Sequence, residues 1–529
     1  MIVYMLLSVA VIFLGVMFNK VSMKLGIPVL LAFIGIGMIF GTDGVGHIIF
    51  DNFDFAEQIS TVALVIIMFY GGFGTSWKHA KPTAGESLLL STVGVLITMA
   101  LVGLFCHFVF HMGWAVSLLV GSVISSTDAA SVFSILRSRH LNLKYKSASL
   151  LELESGSNDP MAFMMTAIFT SVVDGSATKE SIIKIAISQP VFGIIAGVLV
   201  GMGATYIMKR VKFSAGYDMV FMIGIILLSY AAPSLVDGSG YLSTYIAGLI
   251  LGNSDIKGKK SMVNFLDGMT GLAQMLIFFL FGLLSTPSMI PQYFVFALLL
   301  ALFLTFVARP LSVFLLLLPL RSTPARCALV SFAGLRGAAS IVFSIYAVIH
   351  TGNDNIFHGT FIIVLISILL QGTLLPAVSK KLNMIDDKDD VMKTFTDYSE
   401  EEKVQFIQFT IPTDHPWIGH QIKDIILPPD TLLVLSESGN SISVPNGNTC
   451  IREGDRLILS AAEPTQVEGI QLTEIAIKED SSYVDMSLAE LNMPENSLII
   501  MIKRGEDIII PQGNIRLQAG DLLVINHIE

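Results

Sequence analysis

Four acidic residues lie within 32 residues of one another, in or beside predicted apolar segments: Asp128, Glu152, Glu154 and Asp159. A charged side chain at membrane depth is costly and is usually functional. Burial favours the protonated form of a carboxylate, whereas a bound cation favours the ionised form. One such carboxylate can therefore hold either a proton or a cation, and exchange of the two requires this competition.

Asp159 is the acid with the surroundings best suited to this chemistry. Segment 152–160 is rich in polar side chains and helix breakers, so we expect it to offer backbone carbonyls to a cation without meeting lipid. Thr127, Ser155 and Asn158 supply neutral oxygens of the kind that bind alkali cations. We predict a monovalent cation site at Asp159. The alternative is that Asp159 only N-caps a helix that begins at Pro160.

The composition indicates a membrane protein with a soluble tail. Of the 529 residues, 53% are hydrophobic and 14% are charged, and the mean hydropathy is +0.71. A soluble chain has about a quarter of its residues charged. Residues 1–378 carry a net charge of +4 and residues 379–529 one of −14, which together give −10. We predict a membrane domain at 1–378 and an acidic linker at 379–402.

Thirteen apolar runs could each cross a bilayer about 30 Å thick. The predicted spans are 2–19, 27–42, 58–75, 85–110, 114–136, 147–173, 186–208, 216–234, 240–253, 264–284, 291–318, 326–350 and 356–378. With the N-terminus outside, sixteen loop lysines and arginines fall inside and only Lys179 and Lys184 outside. The positive-inside rule thus predicts a multi-pass protein with an external N-terminus and a cytosolic tail.

Two short patterns recur seven spans apart. Gly37-Met-Ile-Phe-Gly41 in span 2 resembles Gly248-Leu-Ile-Leu-Gly252 in span 9. Ala129-Ala-Ser-Val-Phe-Ser-Ile135 in span 5 resembles Ala338-Ala-Ser-Ile-Val-Phe-Ser-Ile345 in span 12. An odd offset gives the two copies opposite orientations, so we predict inverted repeats.

A second repeat lies in the tail. Pro445-Asn-Gly-Asn448 followed by Gly454-Asp455 returns as Pro511-Gln-Gly-Asn514 followed by Gly520-Asp521. Short β-rich runs between Gly/Asn turns indicate strands and hairpins. We predict two small α+β modules, at 403–462 and 470–529.

Three motifs resemble one transporter family. Glu154-Ser-Gly-Ser-Asn-Asp-Pro-Met-Ala162 is similar to the Asn-Asp signature of NhaP-type monovalent cation/proton antiporters, especially their potassium/proton branch. Ser126-Thr-Asp-Ala-Ala130 and Gly334-Leu-Arg-Gly-Ala338 resemble motifs in the crossing helices of the same family. The resemblance covers residues 1–378 and implies a helical membrane fold with crossed, broken helices. It also implies a homodimer with alternating access.

The resemblance implies a role for each polar residue. Asp159 would bind the cation or the proton with Asn158 beside it, and an Asn-Asp pair accompanies electroneutral one-for-one exchange. Glu154 would pair with Arg336 to tie the crossing helices together. Asp128 would neutralise helix ends or a neighbouring base in the crossover.

Tyr70 departs from the family pattern. Relatives often carry an acid at this position of a Phe-acid-Gly-Gly motif, whereas this chain has Phe69-Tyr-Gly-Gly72. A site with one carboxylate fewer has a weaker field, which suits a larger ion such as K⁺. The alternative is that Tyr70 only packs. Arg309, before Pro310 in span 11, is interpreted either as a snorkelling base at a kink or as a functional residue.

The tail resembles tandem TrkA-C modules, the C-lobes of potassium-conductance regulators. The resemblance implies a dimerising domain that binds a small regulatory ligand, for which a cyclic dinucleotide or another nucleotide is the candidate. No Gly-x-Gly-x-x-Gly motif follows a predicted strand, so we expect no NAD-type lobe. The alternative is a tail that only stabilises a dimer.

We therefore predict an antiporter of the bacterial inner membrane that exchanges K⁺, or Na⁺, for H⁺. The expected partners are membrane lipid, a second copy of the chain and a small ligand; we expect no nucleic acid, no cofactor and no enzymatic activity. The alternative from another class is a ligand-gated cation channel. A potassium-type channel would need a filter loop such as Thr-Val-Gly-Tyr-Gly, and the sequence has none.

Overall fold

A computed structural model gives the fold of the chain. It describes positions 9, 12, 13, 15 and 17, and residues 28–138, 141–211, 213–214, 216–256, 258–386, 404–428, 431–438, 441–462, 472–477, 481, 483–491, 497–504, 507–509 and 511–527. The chain forms two units, Met1–Glu400 and Glu401–Glu529. Predicted span 2–19 lies largely outside the described residues, as does most of the predicted linker at 379–402.

The first unit is helical. In its described residues the helices are α1 Val29–Phe40, α2 Phe53–Gly74, α3 Trp77–Phe110, α4 Trp114–Val123, α5 Ala129–Ser138, α6 Ser147–Val173, α7 Lys179–Arg210, α8 Tyr217–Ser234, α9 Gly240–Gly252, α10 Lys259–Leu284, α11 Pro287–Leu317, α12 Pro324–Phe332, α13 Ala338–Thr351 and α14 Asn355–Lys381. Short π-helical stretches interrupt α3, α11 and α14 at Leu90–Gly94, Leu304–Ala308 and Ser367–Gly372.

The helices coincide with the predicted spans from the second to the thirteenth. Seven of the described helices are long and apolar enough to cross a membrane by length and composition: α2, α3, α7, α8, α10, α11 and α14. The helices α1, α4, α9 and α13 are apolar but shorter. Helix α6 has 27 residues, and it carries Glu152, Glu154 and Asp159. The prediction of a polytopic helical membrane fold is confirmed.

Predicted spans 5 and 12 are each interrupted at the same point of the repeated motif. Helix α4 ends at Val123 and α5 begins at Ala129, while α12 ends at Phe332 and α13 begins at Ala338. The two interruptions meet, because the Asp128 N–H donates a hydrogen bond to the Leu335 carbonyl over 2.8 Å. The crossed, broken helices predicted from the sequence are therefore present.

The second repeated pattern places glycines at close helix contacts. A Cβ on Gly37 of α1 would stand 2.2 Å from the Phe279 carbonyl oxygen of α10. A Cβ on Gly248 of α9 would stand 2.3 Å from the Phe69 carbonyl oxygen of α2. Helices α1 and α9 correspond to spans 2 and 9, and helices α10 and α2 correspond to spans 10 and 3. Each helix of the first pair therefore has its counterpart seven spans away in the second pair. The same helix pair is thus built twice, as inverted repeats require.

The second unit contains two antiparallel sheets of the same topology. Its strands are β1 Val404–Thr410, β2 Thr431–Ser438, β3 Ser441–Ser443, β4 Arg456–Ala462, β5 Leu472–Ala476, β6 Ser497–Arg504, β7 Asp507–Ile509 and β8 Leu522–His527. The strand orders are β1-β4-β2-β3 and β5-β8-β6-β7. Each sheet has an irregularity at the same place, between Leu433 and Leu435 and between Ile499 and Met501.

The two tail cores use equivalent residues. Ile411, Leu433, Ile451, Leu457 and Leu459 form the first core, and the residues 66 positions further on, Ile477, Ile499, Leu517, Leu523 and Ile525, belong to the second. In the described part of each module the helical structure is one 3₁₀ turn, at Ile422–Asp424 and Leu488–Glu490. The repeat in the sequence is therefore a repeat of whole modules.

Candidate functional site

Asp159 and Asn158 lie in the middle of α6, which continues without a break from Ser147 to Val173 through Pro160. The helix breakers of segment 152–160 therefore do not interrupt the helix, and the alternative that Asp159 N-caps a helix is wrong. A proline inside a helix removes one hydrogen bond and can bend the helix without ending it. The breaks that expose backbone polar groups lie instead in the two crossing helices beside α6.

The interruption between α4 and α5 contacts α6 through three polar groups. The Ser126 hydroxyl donates to Oδ1 of Asp159. The Asn158 amide donates to the Thr127 hydroxyl oxygen over 2.5 Å, and the Ser155 hydroxyl donates to the Thr127 carbonyl over 2.7 Å. The structure thus brings together four of the predicted site residues, and it adds Ser126. Sequence reasoning had placed Ser126 in a motif but had given it no contact.

The site is deeply buried and polar. Asp159 is 7% exposed and Asn158 is fully buried. Oδ1 of Asn158 has no hydrogen-bond partner among the described residues. A buried carbonyl oxygen without a partner is unusual in a folded protein and is a good ligand for a cation. The arrangement therefore offers one carboxylate and neutral oxygens at one point, which can hold a monovalent cation or a proton.

Asp128 lies at the start of α5. Its Oδ1 accepts from the Ser131 N–H over 3.1 Å and its Oδ2 accepts from the Ser131 hydroxyl over 2.6 Å. A carboxylate in this position stabilises a helix N-terminus. The neighbouring chain is very close, because a Cβ on Gly337 would stand 1.9 Å from Oδ2 of Asp128. The geometry gives Asp128 the helix-end role within the crossover.

Arg336 lies in the other interruption and holds the two together. Its guanidinium Nη1 donates to the Ser125 carbonyl over 2.8 Å and to the Ser126 carbonyl. Its backbone N–H donates to the Ser367 hydroxyl over 2.9 Å. These carbonyls lie just after the C-terminal end of α4, where a positive charge is stabilising. Arg336 thus ties the crossing helices to each other through backbone carbonyls.

Glu154 pairs with a different arginine from the one predicted. Nη2 of Arg309 lies 2.5 Å from Oε1 of Glu154, and the two side chains are 2% and 0% exposed. Arg336, the predicted partner, interacts with Glu154 electrostatically, but its guanidinium hydrogen bonds go to the Ser125 and Ser126 carbonyls. The interpretation of Arg309 as a snorkelling base is wrong, since its side chain is buried. Its place inside an apolar span was the sequence signal for this pair.

Tyr70 makes a polar contact. Its hydroxyl donates to Oδ1 of Asp267 over 2.8 Å. Asp267 belongs to α10, so this hydrogen bond joins α2 to α10. The contact rules out packing as the whole explanation of Tyr70.

Two interrupted helices that cross beside a buried carboxylate on a third, continuous helix define a secondary transporter built from inverted repeats. The model of the sodium/hydrogen exchanger transmembrane family matches residues 8–381, and that of the TrkA-C domain matches residues 406–465 and 472–525. The chain belongs to the sodium/hydrogen exchanger family and is a monovalent cation/proton antiporter with a TrkA-C tail. The channel alternative thus has no support.

Similar proteins cover most of the chain. The K(+)/H(+) antiporter NhaP2 of Shewanella sp. (strain MR-4) is 33% identical over 461 residues, which are 85% of this chain and 79% of that protein. The K(+)/H(+) antiporter NhaP of Alkalimonas amylolytica is 32% identical over 80% of this chain and 75% of its own. The solved structure of the sodium proton antiporter MjNhaP1 from Methanocaldococcus jannaschii at pH 8 superposes with a TM-score of 0.63 at 25% identity, over 70% of this chain and 99% of that one.

Proposed function

We propose that the chain exchanges K⁺ for H⁺ at Asp159, one for one. The observation that carries this proposal is the buried Asp159 carboxylate beside Ser126, Thr127 and Asn158 at the helix crossover. Asn158 next to it is neutral, so the motif provides a single ionisable group for one cation or one proton. The similarity to proteins named K(+)/H(+) antiporters supports K⁺, although a protein named probable Na(+)/H(+) antiporter 2 is also 30% identical over 316 residues.

The cation would be bound by one carboxylate oxygen and by neutral oxygens. Asp159, the Asn158 carbonyl oxygen, the Thr127 hydroxyl and the Ser155 hydroxyl are the groups we assign to it, with Asp128 setting the electrostatic field from the α5 terminus. Protonation of Asp159 would remove the charge that holds the cation. Tyr70 contributes to selectivity indirectly, because it replaces an acid and directs a hydroxyl to Asp267.

The remaining assignments follow from charge distribution and from the modules. We place the protein in a bacterial inner membrane as a homodimer, with the N-terminus outside and the tail in the cytosol. The membrane domain is 1–378, the linker 379–402, and the two regulatory modules are 403–462 and 470–529. Their duplicated sheets support a small-ligand site in the tail, with a nucleotide as the candidate ligand.

The test is dissipation of a pH gradient in everted membrane vesicles after addition of KCl or NaCl. We expect the wild-type protein to collapse the gradient, more strongly with KCl, and Asp159→Asn to be inactive with either salt. Asp174→Asn is the matched control, because Asp174 is an exposed acid directly after the C-terminal end of the same helix. Exchange that survives in Asp159→Asn would show that another group binds the ion. K⁺ movement without proton movement would exclude antiport.

The stoichiometry has its own test in proteoliposomes. For one-for-one exchange, an imposed membrane potential leaves the rate of K⁺/H⁺ exchange unchanged. Asn158→Asp adds a second ionisable group at the site, so we expect its rate to depend on the potential. A wild-type rate that already follows the potential would refute electroneutral exchange.

A further inference from the structure

Glu152 is a buried acid of α6 to which the exchange reaction described above gives no role. It is 6% exposed and precedes Asp159 by seven residues. Seven residues are close to two helical turns, so the two carboxylates share a face of α6 and are separated by about 10 Å along its axis. A buried carboxylate on the face of the ion site is costly unless it has polar partners, and is usually functional.

One contact of Glu152 comes from the end of α2, a helix that does not take part in the crossover. The Thr75 hydroxyl, just after α2, donates to Oε1 of Glu152 over 3.0 Å. The Thr75 carbonyl accepts from the Asn253 amide over 2.8 Å, and the Trp77 N–H donates to Oδ1 of Asn253 over 2.7 Å. Asn253 follows α9, so the C-terminal ends of α2 and α9 meet at Glu152.

A phenol ring lies between the two carboxylates. Tyr245 of α9 packs on Gly156, where a Cβ would stand 2.1 Å from its Cε2 atom. Gly156 is four residues after Glu152 and three before Asp159. The Tyr245 side chain is buried, and its hydroxyl forms no hydrogen bond of normal length and angle with the residues that the structure describes.

The Tyr245 hydroxyl interacts electrostatically with Glu152, and the Thr75 and Ser157 hydroxyls lie close enough to it for weak hydrogen bonds. A buried hydroxyl without a well-formed hydrogen bond requires an explanation, and a bound ion or water is the usual one. The hydroxyls of Tyr245 and Thr75 and the Glu152 carboxylate thus lie close together. Hydroxyl and carboxylate oxygens such as these are the ligands that bind a partly dehydrated alkali cation.

We propose that Glu152, Thr75 and Tyr245 form a second binding station for the transported monovalent cation, on the cytosolic side of Asp159. This inference rests on the proposed function and on the proposed orientation of the protein in the membrane. Glu152 lies towards the start of α6, which follows the basic turn Lys144–Lys146, and the positive-inside rule assigns that end to the cytosol. A cation entering from the cytosol would meet Glu152 first and pass the Tyr245 ring to reach Asp159.

The Tyr245 ring has space to move. A cavity of about 370 Å³ lies between α3, α6, α7 and α9, and its walls include Trp77, Ser157, Pro160 and Tyr245. Its lining is largely apolar, so it suits an aromatic ring better than an ion. Rotation of the phenol into this cavity would clear the line between the two carboxylates, which makes Tyr245 a positioning residue for ion passage.

The experiment compares K⁺ transport from the two faces of the full-length protein. In everted vesicles the added K⁺ meets the cytosolic face, and in right-side-out vesicles it meets the external face. We expect Glu152→Gln to raise the KM for K⁺ at the cytosolic face about tenfold, the effect of losing one charge-assisted contact. We expect the external KM and the maximal rate to stay within about twofold of wild type. Thr75→Val and Tyr245→Phe should raise the cytosolic KM by smaller factors.

The controls separate a cation station from a purely structural role. Asp255→Asn removes an exposed acid from the loop after α9, which is also predicted to face the cytosol. This variant should leave both KM values unchanged. Glu152→Asp keeps the charge and should restore much of the cytosolic affinity. An unchanged cytosolic KM, or equal changes at both faces, in Glu152→Gln would overturn the proposal. If Glu152→Gln yields no folded protein, Thr75→Val and Tyr245→Phe decide by the same face-specific criterion. Activity of Asp159→Asn, by contrast, would overturn the proposed function itself.

Discussion

Each buried charge of the membrane unit has a distinct task, which its partners define. Asp159 accepts a hydrogen bond from the Ser126 hydroxyl, a neutral group that leaves the carboxylate able to exchange a proton for a cation. Glu154 and Arg309 are bound directly to each other and are almost completely buried. Arg336 is bound to backbone carbonyls of the crossing chain. A transporter needs both kinds of group, because the binding carboxylate must change state while the charges that set its position must not.

The Glu154–Arg309 pair gives a residue-scale prediction about stability. Removing one partner of a buried pair leaves the other charge uncompensated and costs about 3–5 kcal/mol. Glu154→Gln should therefore lower the thermal stability of the detergent-purified protein strongly, as followed by size-exclusion chromatography after heating. The double variant Glu154→Gln/Arg309→Met should be more stable than Glu154→Gln alone. A double variant that is less stable than either single one would show that Glu154 depends on another arginine.

At the scale of elements, the function depends on how two interruptions pass each other beside a continuous helix. The N–H of Asp128 bonds to Leu335, and a Cβ at Gly337 has no room beside the Asp128 side chain. The crossover therefore has almost no freedom in the distance between its two chains. Glycine is required at position 337 because any side chain there would collide with Asp128.

Gly337→Ala tests this closeness. The new methyl group would stand 1.9 Å from Oδ2 of Asp128, so one chain must shift and carry Ser126 away from Asp159. Displacement of a binding group by about 1 Å can cost a hundredfold in rate, and we expect at least a tenfold loss of exchange in everted vesicles. Gly224→Ala is the control, since a Cβ on Gly224 of α8 meets nothing within 4 Å. Full activity in Gly337→Ala would show that the crossover is looser than its geometry indicates.

Local sequence patterns predicted the helices better than they predicted which side chains contact one another. The apolar runs marked the helices, and the repeated Ala-Ala-Ser motif, which predicted inverted repeats, lies directly after both interruptions, because these features depend on residues close in sequence. The direct ion-pair partner of Glu154 was not predicted, because two arginines were available and the choice between them depends on where α11 and the crossover lie. The continuity of α6 through Pro160 was missed for a similar reason: contacts with neighbouring helices hold a segment whose own residues favour a break.

At the scale of the whole molecule, duplication was used twice. The membrane unit repeats a helix pair and an interrupted helix in inverted orientation, which supplies two equivalent halves around one site. The tail repeats a complete module with the same strand order. The tail copies differ in charge at several places, among them the last residue of β2, which is Ser438, and the last residue of β6, which is Arg504.

This difference changes the role of an aspartate that both modules share. Asp455 accepts from the Arg452 N–H over 2.8 Å, and its counterpart Asp521 accepts from the Gln518 N–H over the same distance. Of these two aspartates, only Asp521 also binds an arginine side chain in the described parts of the tail, through two Arg504 hydrogen bonds of 2.8 Å. The Arg504 hydrogen bond holds the pKa of the Asp521 carboxyl below its ordinary value.

The second module should therefore lose stability on acidification through a group that the first module lacks. A carboxyl with a lowered pKa in the folded state stabilises fully at neutral pH, and this contribution is lost as the pH falls through that lowered pKa. We expect Asp521→Asn to destabilise β6 and β8 by about 1–2 kcal/mol at pH 7, since Arg504 is 31% exposed and solvent weakens the pair. Hydrogen exchange of the full-length protein measures this for each module, with Asp455→Asn as the matched control. The difference between wild type and Asp521→Asn should shrink once the pH lies below the ordinary carboxyl pKa of about 3.9. A difference that stays constant across this range would show that Asp521 stabilises the module only through its backbone contact.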